Sequence, residues 1–478
     1  MLGLGLFENL LTTIVGVLDV GAVVTTIAVV ILDNRNPVKT LSWVLILAFL
    51  PLVGLVFYYF FGRDTRKEKL IGKKGYRRLT QYPMAEYQQQ QSLRRVEDLH
   101  QVMRFFRKVN AALPFVGNDI QIYGGGAEFV QGLLKAIASA RHHIHIEFYI
   151  FEDDALGRLV RDALIDKAQE GVEVRLLYDD VGNWSLPDEF VAQMRRKGID
   201  ARSFLKVRFP LLTSRVNYRN HRKIVVVDGC VGFVGGMNIA ERYMKGTAWG
   251  MWRDMHIRIE GKAVYGLQTA FLTDWYVVSR SLLSASCYFP EVRDMGSALV
   301  QIVTSDPVGK WHDLMQGLLI AILEAKKYFY IQTPYLLPTE PILWALKTAA
   351  LAGVDVRIMI PSRADSKLTH WGSLSYLSEL MEAGIKIYLY EKGFLHSKMM
   401  VCDDTLSTVG SANMDFRSFE HNFEVNAFMY DQDTALNLKN VFLKDQKDAL
   451  LLSAKTWKKR PWYQKVGESI IRLFAPLL

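Results

Sequence analysis

Two histidines and two lysines recur at one fixed spacing in this chain, and together they suit chemistry on a phosphodiester. His221, Lys223, Asp228, Gly235 and Asn238 form one set; His396, Lys398, Asp403, Gly410 and Asn413 form the other. Both obey H-x-K-x4-D-x6-G-x2-N. One match could be chance, but two in matching halves of a chain point to a duplicated site whose pairs face each other. Imidazole titrates near pH ~6.5, so one ring can be neutral while the other is protonated. The neutral ring can attack phosphorus and form a phosphohistidine. The protonated ring can donate to the leaving alkoxide and then, as a base, activate the incoming hydroxyl. Lys223 and Lys398, with Asn238 and Asn413 as amide donors, would stabilise charge on the non-bridging oxygens of the transition state.

Lys223-Ile-Val-Val-Val227 reads as a strand, and residues two apart on a strand share a face. His221 and Lys223 therefore project together, as do His396 and Lys398. Asp228 and Asp403 complete the catalytic motif, yet their odd spacing turns them away from the phosphate. They are expected to brace strand and loop. Attack requires each imidazole to be held through its other nitrogen. Glu424, beyond Asn413, is expected to accept from His396, and Asp254, beyond Asn238, from His221. Glu147 is an acid inside an apolar strand, with Gln332 at the matching place, and structural or surface roles are preferred for the remaining histidines. A lysine ammonium has no lone pair for a metal. No carboxylate cluster near the motifs resembles a two-metal site, and there is no G-x4-G-K-[ST] loop. Neither a metal nor a cofactor is expected.

The rest of the sequence repeats around these motifs. Gln131-Gly-Leu-Leu-Lys-Ala-Ile precedes the apolar run Ile144–Phe151, and Gln316-Gly-Leu-Leu-Ile-Ala-Ile precedes Tyr328–Tyr335. Gly171-Val-Glu-Val-Arg-Leu-Leu matches Gly353-Val-Asp-Val-Arg-Ile-Met. Leu156–Gln169 and Ile342–Ala352 have helical apolar spacing, while Val172–Tyr178 and Val354–Ile360 read as strands. Such alternation predicts an α/β fold with a mostly parallel sheet. Two α/β/α sandwich lobes, about 115–290 and 291–456, are expected to meet across a pseudo-twofold axis.

The 478 residues are 50% apolar and 22% charged, with a formal net charge of +9. That excess fits anionic partners: membrane lipid, nucleic acid or phosphate substrates. Cys230, Cys287 and Cys402 show no zinc or disulfide spacing, as suits a catalytic part in a reducing compartment. Leu10–Leu32 carries only Asp19 as a charge, and Thr40–Phe61 carries none. Each is long enough for a hydrocarbon core, which takes about 20 residues. Residues 1–62 are therefore expected to form a transmembrane hairpin, with Trp43 at one end and Tyr58, Tyr59 and Phe60 at the other as interfacial anchors. Asp19 suits a helix–helix contact or a protonated carboxyl. Arg63, Arg66, Lys67, Lys69, Lys73, Lys74, Arg77 and Arg78 follow the second span, which puts both termini on the cytoplasmic side. Residues 63–114 are expected to be a basic, largely helical linker. The tail, 457–478, has two open readings: an amphipathic segment on the bilayer, or packing on the second lobe.

The doubled motif resembles that of the phospholipase D superfamily over about 115–456. The first copy departs from the pattern by having Gly236 where the second has Ser411. The resemblance implies that this serine contributes a hydroxyl to substrate binding. With the N-terminal hairpin, Tyr149-Ile-Phe-Glu, Gln332-Thr-Pro-Tyr and the final Ala-Pro-Leu-Leu, the whole chain resembles bacterial cardiolipin synthases. That resemblance implies transfer of a phosphatidyl group between two phosphatidylglycerols in the inner membrane, giving cardiolipin and glycerol. By the same analogy His221 is the nucleophile and His396 the acid/base. Hydrolysis, or transfer to another alcohol, would use the same site. A nuclease or a non-catalytic scaffold fits less well, because the hairpin argues against nucleic acid and both motifs are intact. Oligomeric state stays open.

Overall fold

The computed structural model describes residues 2–32, 37–59, 100–207 and 217–475. The basic run after the second apolar segment, the rest of the expected linker up to residue 99, and Phe60 lie outside them. The chain divides into an N-terminal helical unit and a larger α/β unit.

In the N-terminal unit, α1 (Leu2–Leu32) is followed by α2 (Pro37–Phe49) and α3 (Pro51–Phe57). The second apolar segment is thus not one continuous span. Leu50 leaves helical geometry (φ −132°, ψ 66°), and Pro51 lacks the N–H that would continue the α2 ladder. The chain folds back there: Gly54 packs on the backbone of Ile46 and Leu47. Trp43 and Tyr58 meet edge-to-face at 5.4 Å, so they are internal packing partners and not anchors at opposite ends. Val23, Val30 and Leu47 bury beside Tyr58. Val17, Leu18, Val24, Phe49 and Leu52 point outward, and Asp19 Oδ1 is buried without a partner. Among the described residues no helix is long and apolar enough to cross a membrane.

The α/β unit opens with α4 (Gln101–Asn110). Its Val102, Met103 and Phe106 are fully buried against Leu314, Leu318 and Phe428, so this end of the expected linker is a core helix. Next come β1 (Pro114–Tyr123), α5 (Gly126–Ser139), β2 (His143–Phe148), α6 (Ala155–Gln169), β3 (Glu173–Asp179) and β4 (Asp200–Phe204). The short β5 (Arg219–Asn220) leads to β6 (Ile224–Val227), β7 (Val231–Gly235), β8 (Met251–Arg253), β9 (His256–Glu260) and α7 (Val264–Ser279). The second half runs β10 (Ala298–Ser305), α8 (Asp313–Glu324), β11 (Tyr328–Gln332), β12 (Leu336–Leu337), α9 (Glu340–Leu351), β13 (Asp355–Pro361) and α10 (Lys367–Ser375). It continues with β14 (Lys386–Tyr390), β15 (Gly393–Leu395), β16 (Met399–Cys402), β17 (Leu406–Gly410), β18 (Met414–Asp415) and α11 (Phe416–Glu420). It closes with β19 (Asn422–Met429), α12 (Gln432–Gln446), β20 (Ala449–Leu451), α13 (Ala454–Lys458) and α14 (Trp462–Leu473).

Local chemistry starts these elements where the apolar pattern needs them. Asp154 caps α6 by accepting from Gly157 N at 2.8 Å, as an N-cap carboxylate does. The helix then buries Leu156, Val160 and Leu164 on one stripe, each such side chain contributing about 1.5–3 kcal/mol. Sixteen strands join into one sheet, in the order β20-β14-β13-β11-β16-β17-β19-β10-β1-β9-β7-β6-β2-β3-β4, with β5 added against β19. Outward from the β1–β10 junction seven strands follow in matching succession in each direction, and the second half adds β20 at its edge.

The sheet is mixed, contrary to the mostly parallel expectation. Apart from the short β5 beside β19, only β2–β3–β4 and β11–β13–β14 run parallel; the other central strands pair antiparallel. The motifs themselves cause this. Asp228 and Gly229 take φ of 52° and 67° and turn β6 straight back into β7; Asp403 and Asp404 do the same between β16 and β17. Two successive left-handed residues match the twist of an antiparallel hairpin.

Candidate active site

Neither His-x-Lys step lies within a regular strand. Each bridges a break between a strand of two or three residues and one of four, and the shorter strand pairs with the opposite half. β5 pairs in parallel with β19, and β15 pairs in parallel with β8. Backbone bonds extend both exchanges: His221 N donates to Phe423 O at 2.9 Å and His396 N to Arg253 O at 2.7 Å. The next residue in each case is a carboxylate. His221 Nδ1 lies 3.0 and 3.1 Å from the two oxygens of Glu424, and His396 Nδ1 lies 2.7 Å from Asp254 Oδ2. The two acids expected to orient the histidines therefore do so with partners crossed: each serves the ring of the other half. The exchanged strands are the cause, since they set each carboxylate beside the opposite ring.

Both lysines are buried with the rings. Lys223 Nζ donates to His221 O at 2.6 Å and sits 5.3 Å from the centre of the Tyr149 ring. Lys398 Nζ donates to His396 O and also lies 2.8 Å from His396 Nδ1. Burial pulls Lys223 down to about 7, only partly opposed by Glu424, and Lys398 down to about 8, opposed by Asp254 and Glu424. Burial also lowers His221 to about 4 against the upward pull of Glu424. His396 falls well below the usual range through burial and the charges of Lys398, Lys223 and His221. Burial pushes Glu424 upward, but His221, Lys223 and the Ser411 hydroxyl outweigh it and hold the acid near 2. Asp254 is raised by burial, with Lys398 and the Met255 N–H pulling the other way. Two cations, two rings and two carboxylates thus share one electrostatic neighbourhood. Burial makes positive charge on both lysines costly there.

Other expected site residues lie elsewhere or do different work. Asp228 accepts from the backbone N–H groups of Arg141, His142 and His143 at 2.8–2.9 Å. Asp403 accepts from those of Lys326, Lys327 and Tyr328 at 2.6–2.8 Å. Both fasten the start of a neighbouring strand, so neither acts as a catalytic group. Ser411 gives its hydroxyl to Glu424 while its Oγ accepts from Val425 N at 2.9 Å; it braces the carboxylate and not a substrate. At the matching place a Cβ on Gly236 would stand 2.2 Å from Asp254 Oδ1, so glycine leaves room for the acid itself. Asn238 donates to Tyr243 Oη at 2.7 Å and accepts from Ile150 N at 3.1 Å. Asn413 donates to Asp415 Oδ2 at 3.2 Å, and its Oδ1 is buried without a partner.

Several contributors went unnoticed in the sequence. Arg222 bonds Asp274, Glu424 O and Ser305 O, fixing the first exchanged strand. Arg253 bonds Asp445 and Asp254 O, fixing the second. Glu147 and Gln332 complete these clusters: Asn220 donates to Glu147, and Gln332 donates to Asp445 at 2.9 Å. Burial and neighbouring Asp274 push Glu147 well up, consistent with a neutral amide at its counterpart. Asp274 and Asp445 each follow an orienting acid at a similar distance, a signal the repeat held. Tyr149 stands edge-on to His221 at 4.9 Å, while Trp252 and Tyr243 wall His396 at 5.5 and 6.0 Å.

The family described as "Cardiolipin synthase, PLD-like domain" matches residues 133–275 and 318–446, and "Phospholipase D-nuclease N-terminal" matches 17–63. A cardiolipin synthase of Geobacillus sp. (strain WCH70) is 41% identical over 459 residues, covering 94% of this chain and 91% of that one. The chain belongs to the cardiolipin synthase family. Cardiolipin synthase 2 of Bacillus anthracis is 40% identical over 456 residues, covering 94% and 89%. The crystal structure of phosphatidylserine synthase from Haemophilus influenzae Rd KW20 matches with a TM-score of 0.60 at 16% identity, covering 79% of this chain and 98% of that one. At that identity it shows the fold alone. The two family segments contain both His-x-Lys steps, Asp254 and Glu424.

Proposed function

We propose that the chain transfers a phosphatidyl group from one phosphatidylglycerol to the glycerol hydroxyl of a second, as its relatives' name implies. The observation that carries this is the crossed pair of carboxylates. Each holds an Nδ1 and so leaves an Nε2 free for chemistry. His221 is the nucleophile: ionised Glu424 fixes one tautomer, and burial keeps the ring neutral. Its Nε2 bonds to phosphorus as the P–O bond to the first glycerol breaks, and His396, protonated once the phosphodiester anion offsets burial and the charges of Lys398 and Lys223 that hold it down, gives that oxygen a proton. His396 then takes the proton of the second lipid's hydroxyl, whose oxygen attacks phosphorus and breaks the P–N bond. His396 suits proton traffic because its Nδ1 faces both Asp254 and Lys398. The phosphodiester anion would restore charge to Lys223 and Lys398, which stabilise the transition state. One phosphodiester replaces another, so no activated nucleotide is consumed.

The α/β unit is read as two lobes, about 115–290 and 291–456, related by a pseudo-twofold axis; the matching strand succession supports this. The N-terminal unit is read as embedded in the bacterial cytoplasmic membrane, since Val17, Leu18, Phe49 and Leu52 are exposed among the described residues. The basic run after it puts the catalytic lobes on the cytoplasmic side. Purified protein given phosphatidylglycerol should release glycerol and a four-chain lipid. Phosphatidic acid as the sole product would replace synthesis with hydrolysis.

A further inference from the structure

Helix α14 is mounted with its polar side inward. Glu468 is 3% exposed and ion-paired with Arg460. Arg472 reaches Glu379 at 2.6 Å and lies 4.2 Å from the centre of the Tyr376 ring. Gly467 packs on the Trp371 ring of α10. These contacts hold α14 on the second lobe, so the tail does pack back on the protein.

The opposite side is apolar and uncovered. Trp462, Tyr463, Val466, Ile470, Leu473 and Phe474 are 47–78% exposed. At 3.6 residues per turn they fall on one stripe. Water-soluble helices dock the other way round, because apolar area in water costs about 25 cal/mol per Å². A stripe rimmed by polar residues marks an interaction site. Charge identifies the occupant. Between 454 and 475 the one acid is Glu468, which is buried, while Lys455, Lys458, Lys459 and Lys465 are all exposed. Trp and Tyr at one end, aliphatic side chains along the rest and lysines alongside suit the headgroup level of an anionic bilayer.

We infer that α14 is a peripheral membrane-contact surface that seats the second lobe on an anionic lipid bilayer, independently of the N-terminal unit. This deepens the lipid-transfer reading, but its test needs no turnover, so the two can fail separately. The full-length chain with Cys230, Cys287 and Cys402 replaced, and Leu473→Cys carrying an environment-sensitive fluorophore, is reconstituted in phosphatidylglycerol nanodiscs. Its emission should shift to the blue and be quenched by nitroxides placed shallow on the acyl chains. The same label at Lys444, exposed on α12, should show neither effect. Water-like emission at 473 would overturn the inference. So would a blue shift untouched by lipid nitroxides, which would put a second copy of the chain on the stripe. Ile470→Glu with Leu473→Glu should raise the apparent KM for vesicle lipid about tenfold, leaving Tm and turnover of a short-chain soluble substrate unchanged. An unaltered KM for vesicles would also refute it.

Discussion

The two half-sites share a design and differ in how tightly each ring is held. His221 faces a glutamate that also accepts from the Ser411 hydroxyl and from Asn422 Nδ2. His396 faces the shorter Asp254, with Gly236 where the serine would be, and Lys398 crowds the same nitrogen. In the first, one ionised acid fixes one tautomer. In the second, a raised acid and a lowered lysine compete for one ring nitrogen. The two motifs thus differ in the group behind each ring, which on the proposed mechanism lets one side hold a lone pair still and the other move a proton.

The bluntest way to break the comparison is to remove each ring. His221→Ala and His396→Ala should each lower turnover by more than about 10³-fold. Only His396→Ala should retain phospholipid phosphorus on the protein, as mass spectrometry after brief exposure would reveal. Label on the His221→Ala chain would reverse the assignment. A finer cut replaces the acids by amides. Glu424→Gln should slow phosphohistidine formation by about 10²–10⁴-fold. Asp254→Asn should cost about 10–10²-fold and slow both steps, because His396 serves each of them, as quenched-flow kinetics would resolve.

Acidity gives the next test. In the free enzyme Lys223 and Lys398, lowered mainly by burial to about 7 and 8, lose their charge as pH rises through that range. Since kcat/KM reports free-enzyme ionisations, it should decline from about pH 7 upward, and a pH–rate profile would show the limb. The smallest effect is expected behind the rings. Ser411→Ala removes the bond to Glu424, about 1–1.5 kcal/mol, along with the one from Val425 N, and should slow turnover by roughly tenfold. Gly236→Ser, which makes the copies alike, should lower Tm because its side chain collides with Asp254. A neutral Gly236→Ser in a thermal melt would show that the halves are interchangeable there.

Much of this site was legible because its chemistry sits in a contiguous pattern. The His-x-Lys steps could be picked out by spacing, and the two orienting acids only as carboxylates downstream of each motif. The pairing of those acids could not. Asp254 and Glu424 each follow their own motif in the chain, and only the exchanged strands β5 and β15, two and three residues long, carry them across. Such short strands leave no periodic trace. The helices and outer strands were readable from apolar spacing, since Leu156, Val160 and Leu164 recur as a helix stripe must. The sheet's direction was misjudged because βαβ alternation holds only at its two edges, whereas tight turns at Asp228 and Asp403 fold its centre back on itself. The second apolar segment misled for a similar reason: hydropathy ignores the break that Pro51 imposes.

The exchange of β5 and β15 also constrains heredity. Copies made by duplication normally drift apart, one keeping the task while the other decays. Here each imidazole is completed by a residue encoded in the other copy, so damage to either disables both. Neither can be deleted, shuffled or retired singly, and the pair must be inherited as one.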